Sequence, residues 1–282
     1  VPLMELVTEP VITSAEQAGE FARELQLILR YLGVSDADME LGQMRVEANV
    51  SLQDPRWKFI EGHGLKSGLW SFNGNTEKDL TNPTMNARVE LKNINSFKAM
   101  EDAVRYELKR HRELLESGGN ISQETRGWDE AKQKTVSQRS KEEAHDYRYF
   151  PEPDLPPFDT EVFNVESLKS SLPEMPREKR ERFKREYGLN EKQVELLIGE
   201  PEMAEFFEES TSELKTYHLS PKTYNLVFNY LTSDLRGLMN EAGAGFVDLK
   251  FNAEHLANLI ALIESQKIGS RQAKDTLKKM FE

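Results

Sequence analysis

Two short segments in which apolar and polar residues strictly alternate place the strongest constraint on the fold. They cover residues 44–52 and 87–92. Period-two alternation is typical of a strand that buries one face and exposes the other. If the two strands pair in one sheet, their polar side chains crowd one face. Those side chains are Arg45, Glu47 and Asn49 from the first segment, and Arg88, Glu90 and Lys92 from the second.

This polar face has two interpretations. The default is a solvated sheet face with cross-strand ion pairs, because alternating charge is ordinary in antiparallel sheets. The alternative is a concave face that holds a phosphorylated ligand and a metal ion. Carboxylates are the hard oxygen ligands that Mg²⁺ prefers, and Arg and Lys neutralise phosphate. Spacing alone leaves both open.

A carboxylate also interrupts an apolar run at the start of the chain. Leu3–Val7 carries Glu5 among apolar neighbours, and such a run predicts a strand covered on both faces. An unpaired buried carboxylate is unfavourable, so an Arg, a Lys or a metal ion is expected opposite Glu5. The chain begins in strand-like sequence and ends in a helical pattern, so we expect both ends to be cut from something longer.

The remaining periodicity predicts an α+β region followed by an all-α region. A helix is expected from Ser14 to Gly33, and a long one from Asn95 or Ser96 to Gly118. Residues 54–85 predict an extended loop or an elaborated hairpin, and residues 121–139 predict strands around a turn. Beyond about Phe163 the pattern is helical throughout, with a highly charged helix over residues 176–187 whose default interpretation is a solvated face with helical ion pairs.

Composition narrows the chemistry. The sequence of 282 residues contains no cysteine, which excludes disulfides, thiolate catalysis and zinc fingers within it and fits a cytosolic protein. No apolar run approaches the ~20 residues that span a bilayer, so no membrane partner is expected. The phosphate-binding loop, zinc-protease and serine-hydrolase motifs are absent.

Nucleic acid is a weaker expectation from charge alone. A net charge of −12 argues weakly against nonspecific binding, although a local basic face remains compatible with it. One candidate is the basic group near the end of the chain, which contains Lys267, Arg271, Lys274 and Lys278. Another anion-binding candidate is the helix start after Lys92, for which a plain N-cap is the default interpretation.

Several long segments together resemble one family. The first, Pro2–Pro10, is similar to the motif Pro-Leu-x-Glu-Ile-Val-Ser-Glu-Pro of the B subunit of aspartyl/glutamyl-tRNA amidotransferase. The other matching segments are Leu32–Asp36, Met44–Ser51, Glu90–Phe97, Gln123–Arg126 and His145–Asp154. The resemblance runs along essentially the whole chain, and the helical end is matched more loosely.

The resemblance implies a two-step ligase. ATP phosphorylates the side-chain carboxylate of Glu on tRNA(Gln) or Asp on tRNA(Asn), and ammonia then displaces the phosphate. The implied partners are an amidase A subunit that releases the ammonia from glutamine, a small C subunit and the misacylated tRNA. The implied fold is an antiparallel-sheet cradle like that of glutamine synthetase, over residues 1–160, followed by a helical linker over 161–203 and a partial tRNA-binding tail over 204–282.

The resemblance carries over two metal positions, to which we add two groups of candidate residues. Glu5 falls on a Mg²⁺ ligand of the family, and Glu47 falls on the acidic position associated with a second cation. The candidates for phosphate or carboxylate binding are Arg45, Lys92, Arg126, Arg139 and Arg148, of which Arg45, Lys92 and Arg126 are the candidates for contacting ATP. The candidates for orienting the substrate are Asn49, Asn93 and Asn95.

The chain also departs from the family pattern. The part with a His and a Glu that complete the family's Mg²⁺ site is missing, and residues 54–85 form a longer segment than is usual. The 282 residues alone are therefore expected to lack transamidation activity. Two further interpretations stay open, a noncatalytic tRNA-binding or scaffold protein on the same fold and, more weakly, a stand-alone metal hydrolase.

Overall fold

The computed structural model describes the chain in segments that belong to two compact units. The described residues are 3–52, 57–60, 69–72, 75–76, 86–140, 154, 162–215 and 222–282. The first unit comprises Val1–Gln26 and Ser35–Phe163, and the second comprises Leu27–Val34 and Asn164–Glu282. Helix α1 (Ala15–Tyr31) contributes residues to both units.

The first unit contains a four-stranded sheet and a smaller three-stranded sheet. In chain order the strands are β1 (Ala48–Val50), β2 (Trp57–Ile60), β3 (Leu69–Phe72), β4 (Asn75–Thr76), β5 (Val89–Lys92), β6 (Glu124–Asp129) and β7 (Lys134–Ser140). The larger sheet has the order β1-β5-β6-β7. The segment predicted as a loop or elaborated hairpin therefore contains the antiparallel β2-β3-β4 sheet.

The larger sheet is mixed rather than antiparallel throughout. β1 pairs with β5 and β6 pairs with β7 in antiparallel directions, whereas β5 and β6 are parallel. Helix α2 (Phe97–Glu116) lies between β5 and β6 in the chain. It carries the chain back to the end of the sheet at which β5 begins, as a parallel pair of strands requires. The α+β class is confirmed, and the predicted antiparallel sheet differs from the observed one in the parallel pair β5–β6.

Helix α2 begins where the sequence predicts and packs on the apolar face of the sheet. The Ser96 hydroxyl accepts a hydrogen bond of 3.0 Å from the Ala99 backbone N–H. Such a cap satisfies one of the unpaired N–H groups at a helix start. The core beneath the helix contains Val89, Leu91, Met100, Val104 and Trp128. The opposite face of β5 carries the polar side chains Glu90 and Lys92.

The predicted buried strand at Leu3–Val7 is wrong. None of residues 3–10 lies in a strand, and Leu3 and Val7 are 95% and 78% exposed. A strand needs a neighbour that completes its hydrogen-bond ladder, and no described strand pairs with this segment. The pattern identified an apolar segment correctly but could not supply an element to cover it.

The first alternating segment is shorter as a strand than its pattern predicts. Only Ala48–Val50 pairs with β5, and residues 43–47 precede the ladder. The alternation nevertheless persists in the burial, since Arg45, Glu47 and Asn49 are more exposed than their apolar neighbours. The pairing of the two alternating segments is confirmed.

The described part of the second unit is helical, as predicted. Its helices are α3 (Val165–Ser170), α4 (Pro176–Tyr187), α5 (Glu191–Ile198), α6 (Pro201–Lys215), α7 (Thr223–Asn229), α8 (Arg236–Ala242), α9 (Ala253–Glu264) and α10 (Ser270–Phe281). A π-helical segment, Tyr230–Leu235, joins α7 to α8, and a 3₁₀ turn covers Phe246–Asp248. The shared core includes Phe183, Phe207, Leu231 and Ile260.

The highly charged helix α4 has the ion-pair pattern that was its default interpretation. Lys179 lies 2.8 Å from a Glu208 carboxylate oxygen, and Arg182 donates hydrogen bonds of 2.8 and 2.6 Å to Glu174. These side chains link neighbouring segments of the second unit. In the segments that the structure describes, no helix is both long and apolar enough to cross a bilayer.

Candidate active site

A row of polar residues crosses the larger sheet on the face opposite α2. In register, Asn49 pairs with Glu90, Glu90 pairs with Thr125, and Thr125 pairs with Arg139. Paired residues place their Cβ atoms on the same face of a sheet. The row therefore brings together a residue from each of the four strands, although only the backbone position of Arg139 is described.

Lys92 joins two carboxylates on this face. Its Nζ lies 3.4 Å from a Glu47 oxygen and 3.4 Å from a Glu90 oxygen. Burial favours the neutral amine, but the two carboxylates outweigh burial and raise the pKa of Lys92. The ammonium is therefore charged at neutral pH and sits between the two acids. This confirms the cross-strand ion pairs, and it also assembles the cation and carboxylates of the ligand-binding interpretation.

Thr125 and Glu90 form a contact that the site predictions missed. The Thr125 hydroxyl donates a 2.9 Å hydrogen bond to the second carboxylate oxygen of Glu90, and the Glu90 side chain is only 17% exposed. Glu90 was visible in the alternation of β5 as a member of the polar face. Thr125 had no such signal, because its place beside Glu90 depends on the parallel register of β5 and β6.

Arg126 lies on the other face of the sheet. Its guanidinium donates hydrogen bonds of 2.9 and 3.0 Å to the hydroxyl and carbonyl oxygens of Thr135, and one of 2.8 Å to Glu124. Neighbouring residues of a strand point to opposite faces of the sheet, so Arg126 points toward α2 and Thr125 points to the face that carries the polar row. The structure therefore does not bring Arg126 together with Lys92.

A buried carboxylate on α2 anchors this second group. Glu107 is fully buried and accepts hydrogen bonds of 2.7 Å from Thr135 and 2.5 Å from Arg110. The Nε2 atom of the buried His111 lies 3.1 Å from Glu107. Burial raises the pKa of the Glu107 carboxyl, but the contacts of His111, Arg110 and Thr135 outweigh burial and lower its pKa to about 2. The carboxylate is therefore charged at neutral pH.

The remaining predicted site residues are not gathered into one group. Glu5 lies in the exposed segment, and Arg45 and Asn95 are exposed. Asn93 has a φ of 59°, and its amide donates a 3.2 Å hydrogen bond to the Trp128 carbonyl. This left-handed conformation is one that Asn adopts more readily than most residues. Arg148 lies outside the described residues.

The basic group of the tail lies along α10 and just before it. Lys274 lies 2.7 Å from an Asp234 carboxylate oxygen, and Lys278 lies 3.8 Å from Glu282. Lys267 and Arg271 are exposed and form no ion pair within the described part of the chain. Helical spacing places Arg271, Lys274 and Lys278 on one face.

The polar row fits the chemistry of a Mg²⁺ site in part. Glu47 and Glu90 offer carboxylate oxygens, and Mg²⁺ is often held by one or two carboxylates with phosphate and water. No group of three or more His, Cys, Asp or Glu suited to a metal occurs in the residues that the structure describes. The buried-carboxylate argument for Glu5 no longer holds, and its metal role rests on the resemblance alone.

Two family models match this chain. The family described as the GatB/GatE catalytic domain matches residues 1–165, and the GatB domain matches residues 205–282. The polar row and the α2 network lie in the first match, and α10 lies in the second. The chain thus combines a GatB/GatE-type catalytic domain with a helical GatB domain.

The relatives are B subunits of one enzyme. The chain is 39% identical over 284 residues to the B subunit of the aspartyl/glutamyl-tRNA(Asn/Gln) amidotransferase of Dehalococcoides mccartyi, covering 100% of this chain and 53% of the relative. The proteins of that name from Persephonella marina and Thermotoga maritima are each 40% identical, over 99% and 100% of this chain and 52% of their own length. The chain therefore belongs to the GatB family of amidotransferase proteins, and spans about half the length of these curated relatives.

Proposed function

We propose that this chain carries part of the phosphorylation site of a tRNA-dependent amidotransferase, a carbon–nitrogen ligase with glutamine as the amide donor. The substrates would be Glu-tRNA(Gln), Asp-tRNA(Asn) or both, with ATP supplying the phosphoryl group. The observation that carries the proposal is the arrangement of Lys92 between Glu47 and Glu90 on the sheet face opposite α2. It lies within the segment that matches the catalytic domain.

Each residue of this face has a role in the proposal. Lys92 neutralises phosphate or carboxylate oxygens, because phosphoryl transfer depends on positioning and on charge neutralisation. Asn49 orients the substrate from the adjacent strand. Glu47 and Glu90, with Glu5 by resemblance, would hold Mg²⁺, which would supply positive charge to neutralise phosphate oxygens. Arg45, Asn93, Asn95, Arg139 and Arg148 remain proposed contacts around this face.

In the proposal Arg126 does not contact ATP directly but has a supporting role. Its guanidinium is already hydrogen-bonded to Glu124 and Thr135 on the α2 side of the sheet. We infer that Arg126 supports β6 and thereby the position of Thr125. An Arg126 side chain that turned to the polar face would abandon these contacts.

The proposed partners follow from the family. They are the amidase A subunit, which would release ammonia from glutamine, the small C subunit, and misacylated tRNA in the cytoplasm. The proposed tail, residues 204–282, would bind the tRNA through the basic residues along and before α10. The helical linker of the proposal covers residues 161–203, between the two family matches.

The test uses the full-length protein assembled with its amidase and small-subunit partners. ATP is supplied with misacylated Glu-tRNA(Gln) or Asp-tRNA(Asn), and Mg²⁺-dependent ADP release is measured without any amide donor. The proposal expects ADP release that requires the misacylated tRNA, followed by amidation when glutamine is added. A complex that binds the tRNA but releases no ADP would instead support a noncatalytic tRNA-binding or scaffold protein.

We predict that the basic residues of the tail contribute to tRNA binding according to whether they form ion pairs within the described part of the chain. Charge reversal of Lys267 and Arg271 to Glu is expected to weaken tRNA binding about tenfold. It is also expected to reduce the slope of the logarithm of the binding constant against the logarithm of the salt concentration by about one to two. Asp234→Asn releases Lys274 from its carboxylate partner and is expected to strengthen binding. Both are measured by filter binding of tRNA across a salt series.

The control for the tail prediction is Lys192→Glu. Lys192 is exposed on α5 in the same helical unit and carries the same charge. Equal losses for Lys192→Glu and for the tail variants would mean that net charge, rather than this basic face, determines tRNA affinity.

A further inference from the structure

A β-bulge in β7 aims one side chain at the polar face. Thr125 pairs with Arg139, and the next residue of β6, Arg126, pairs with Ser137. Gln138 therefore has no partner on β6 and is the extra residue of the bulge. A bulge of this kind re-aims the side chain of the inserted residue and recurs beside functional sites. The end of the Gln138 side chain lies over Gly127 of β6, whose register partner on β7 is Val136.

Gly127 provides the space that the Gln138 amide occupies. A Cβ atom built on Gly127 would lie 2.1 Å from Gln138 Nε2 and 2.8 Å from its Cδ. Gly127 pairs in register with Lys92, so its missing side chain would point to the polar face. The Gln138 amide therefore lies over Gly127, the register partner of Lys92.

The Gln138 amide is available to a ligand. The residue is exposed, and its amide makes no hydrogen bond to any residue that the structure describes. A primary amide offers two N–H donors and a carbonyl acceptor without adding charge. Next to Lys92, whose ammonium acts mainly through its charge, the amide can fix the orientation of a bound oxygen atom by a directional hydrogen bond.

We propose that Gln138 is a substrate-positioning residue, and that Gly127 is glycine because it seats the Gln138 amide beside Lys92. The inference rests on the proposed function and deepens it. The amide hydrogen-bonds the acyl group of the misacylated tRNA, whose side-chain carboxylate Lys92 neutralises. The contact acts on substrate binding more than on the phosphoryl transfer itself.

The test compares three variants in the full-length complex. Gln138→Met keeps the length of the side chain and removes the amide, whereas Gly127→Ala keeps the amide and displaces it. Each is expected to raise the KM for misacylated tRNA about 3- to 10-fold, the range of a single neutral hydrogen bond, with kcat for ADP release nearly unchanged. The double variant is expected to equal either single variant, because both remove the same contact.

Gly19→Ala is the matched control. Its added Cβ would also meet a side-chain tip at 2.1 Å, in this case the Glu101 carboxylate, which is paired with Arg23. Its KM is expected to equal that of the wild type. An unchanged KM in Gln138→Met, or additive effects in the double variant, would overturn the role of Gln138 while leaving the proposed function intact. A wild-type complex that releases no ADP would overturn both.

Discussion

Replacing Glu107 with Ala is expected to lower the free energy of unfolding of the first unit by about 3–5 kcal/mol. The carboxylate is fully buried, and its removal takes a shared acceptor from Arg110, Arg126 and Thr135, which leaves Glu124 as the carboxylate near both guanidinium groups. Removing one member of a buried ion-pair network costs far more than the loss of an exposed pair. The unfolding is measured in urea by tryptophan fluorescence, since Trp57, Trp70 and Trp128 all belong to the first unit.

Glu113→Ala is the control on the same helix. Its carboxylate is 64% exposed and lies 3.8 Å from Lys109, so its removal is expected to change the unfolding free energy by less than about 0.5 kcal/mol. A cost for Glu107→Ala as small as that of Glu113→Ala would show that the buried network does not stabilise the fold.

The same carboxylate predicts how stability depends on pH. The pKa of Glu107 is lowered from 4.5 to about 2 in the folded chain, so the unfolded chain binds the proton more readily. The contribution of Glu107, roughly 3 kcal/mol, is therefore present above about pH 4.5 and is lost as the pH falls toward 2. Subtracting the stability of Glu107→Gln from that of the wild type across this range isolates the effect. A constant difference would contradict the lowered pKa.

Much of the architecture could be predicted because it depends on local patterns. The alternation in β1 and β5 and the cap at Ser96 are local features, and the structure shows each in its predicted place. The segment Leu3–Val7 shows the limit of this reasoning. Its apolar run states a preference for burial, but burial depends on a partner strand elsewhere in the chain.

Only those residues of the candidate site that stand out in the alternation pattern of their own strand could be predicted. Lys92 and Glu47 were identified from their own alternation, whereas Thr125 required the parallel register and Gln138 required the bulge. Glu107 and His111 carried an unused signal. They occupy positions of the apolar stripe of α2, three and seven residues after Val104, and a polar residue there implies a buried partner.

Removing the Lys92 ammonium is expected to have the largest effect on activity. Lys92→Met in the full-length complex keeps most of the aliphatic stem and is expected to slow tRNA-dependent ADP release about 100- to 1,000-fold, the usual loss when one charge-stabilising group is removed from a transition state. Stability is expected to change by less than about 1 kcal/mol, because the Lys92 side chain is 41% exposed. Initial rates and urea denaturation measure the two effects separately.

The same substitution distinguishes the two interpretations of the polar face. Without Lys92, the carboxylates of Glu47 and Glu90 lose the cation that lies 3.4 Å from each of them, and their mutual repulsion favours a divalent ion in its place. Lys92→Met is therefore expected to bind Mn²⁺, used as a paramagnetic probe, more tightly than the wild type while turning over more slowly. A solvated face with ordinary ion pairs would change ADP release by no more than the control Arg112→Glu, which reverses an exposed charge on α2. Tighter Mn²⁺ binding with unchanged ADP release would place the cation site on this face but move the phosphorylation chemistry elsewhere.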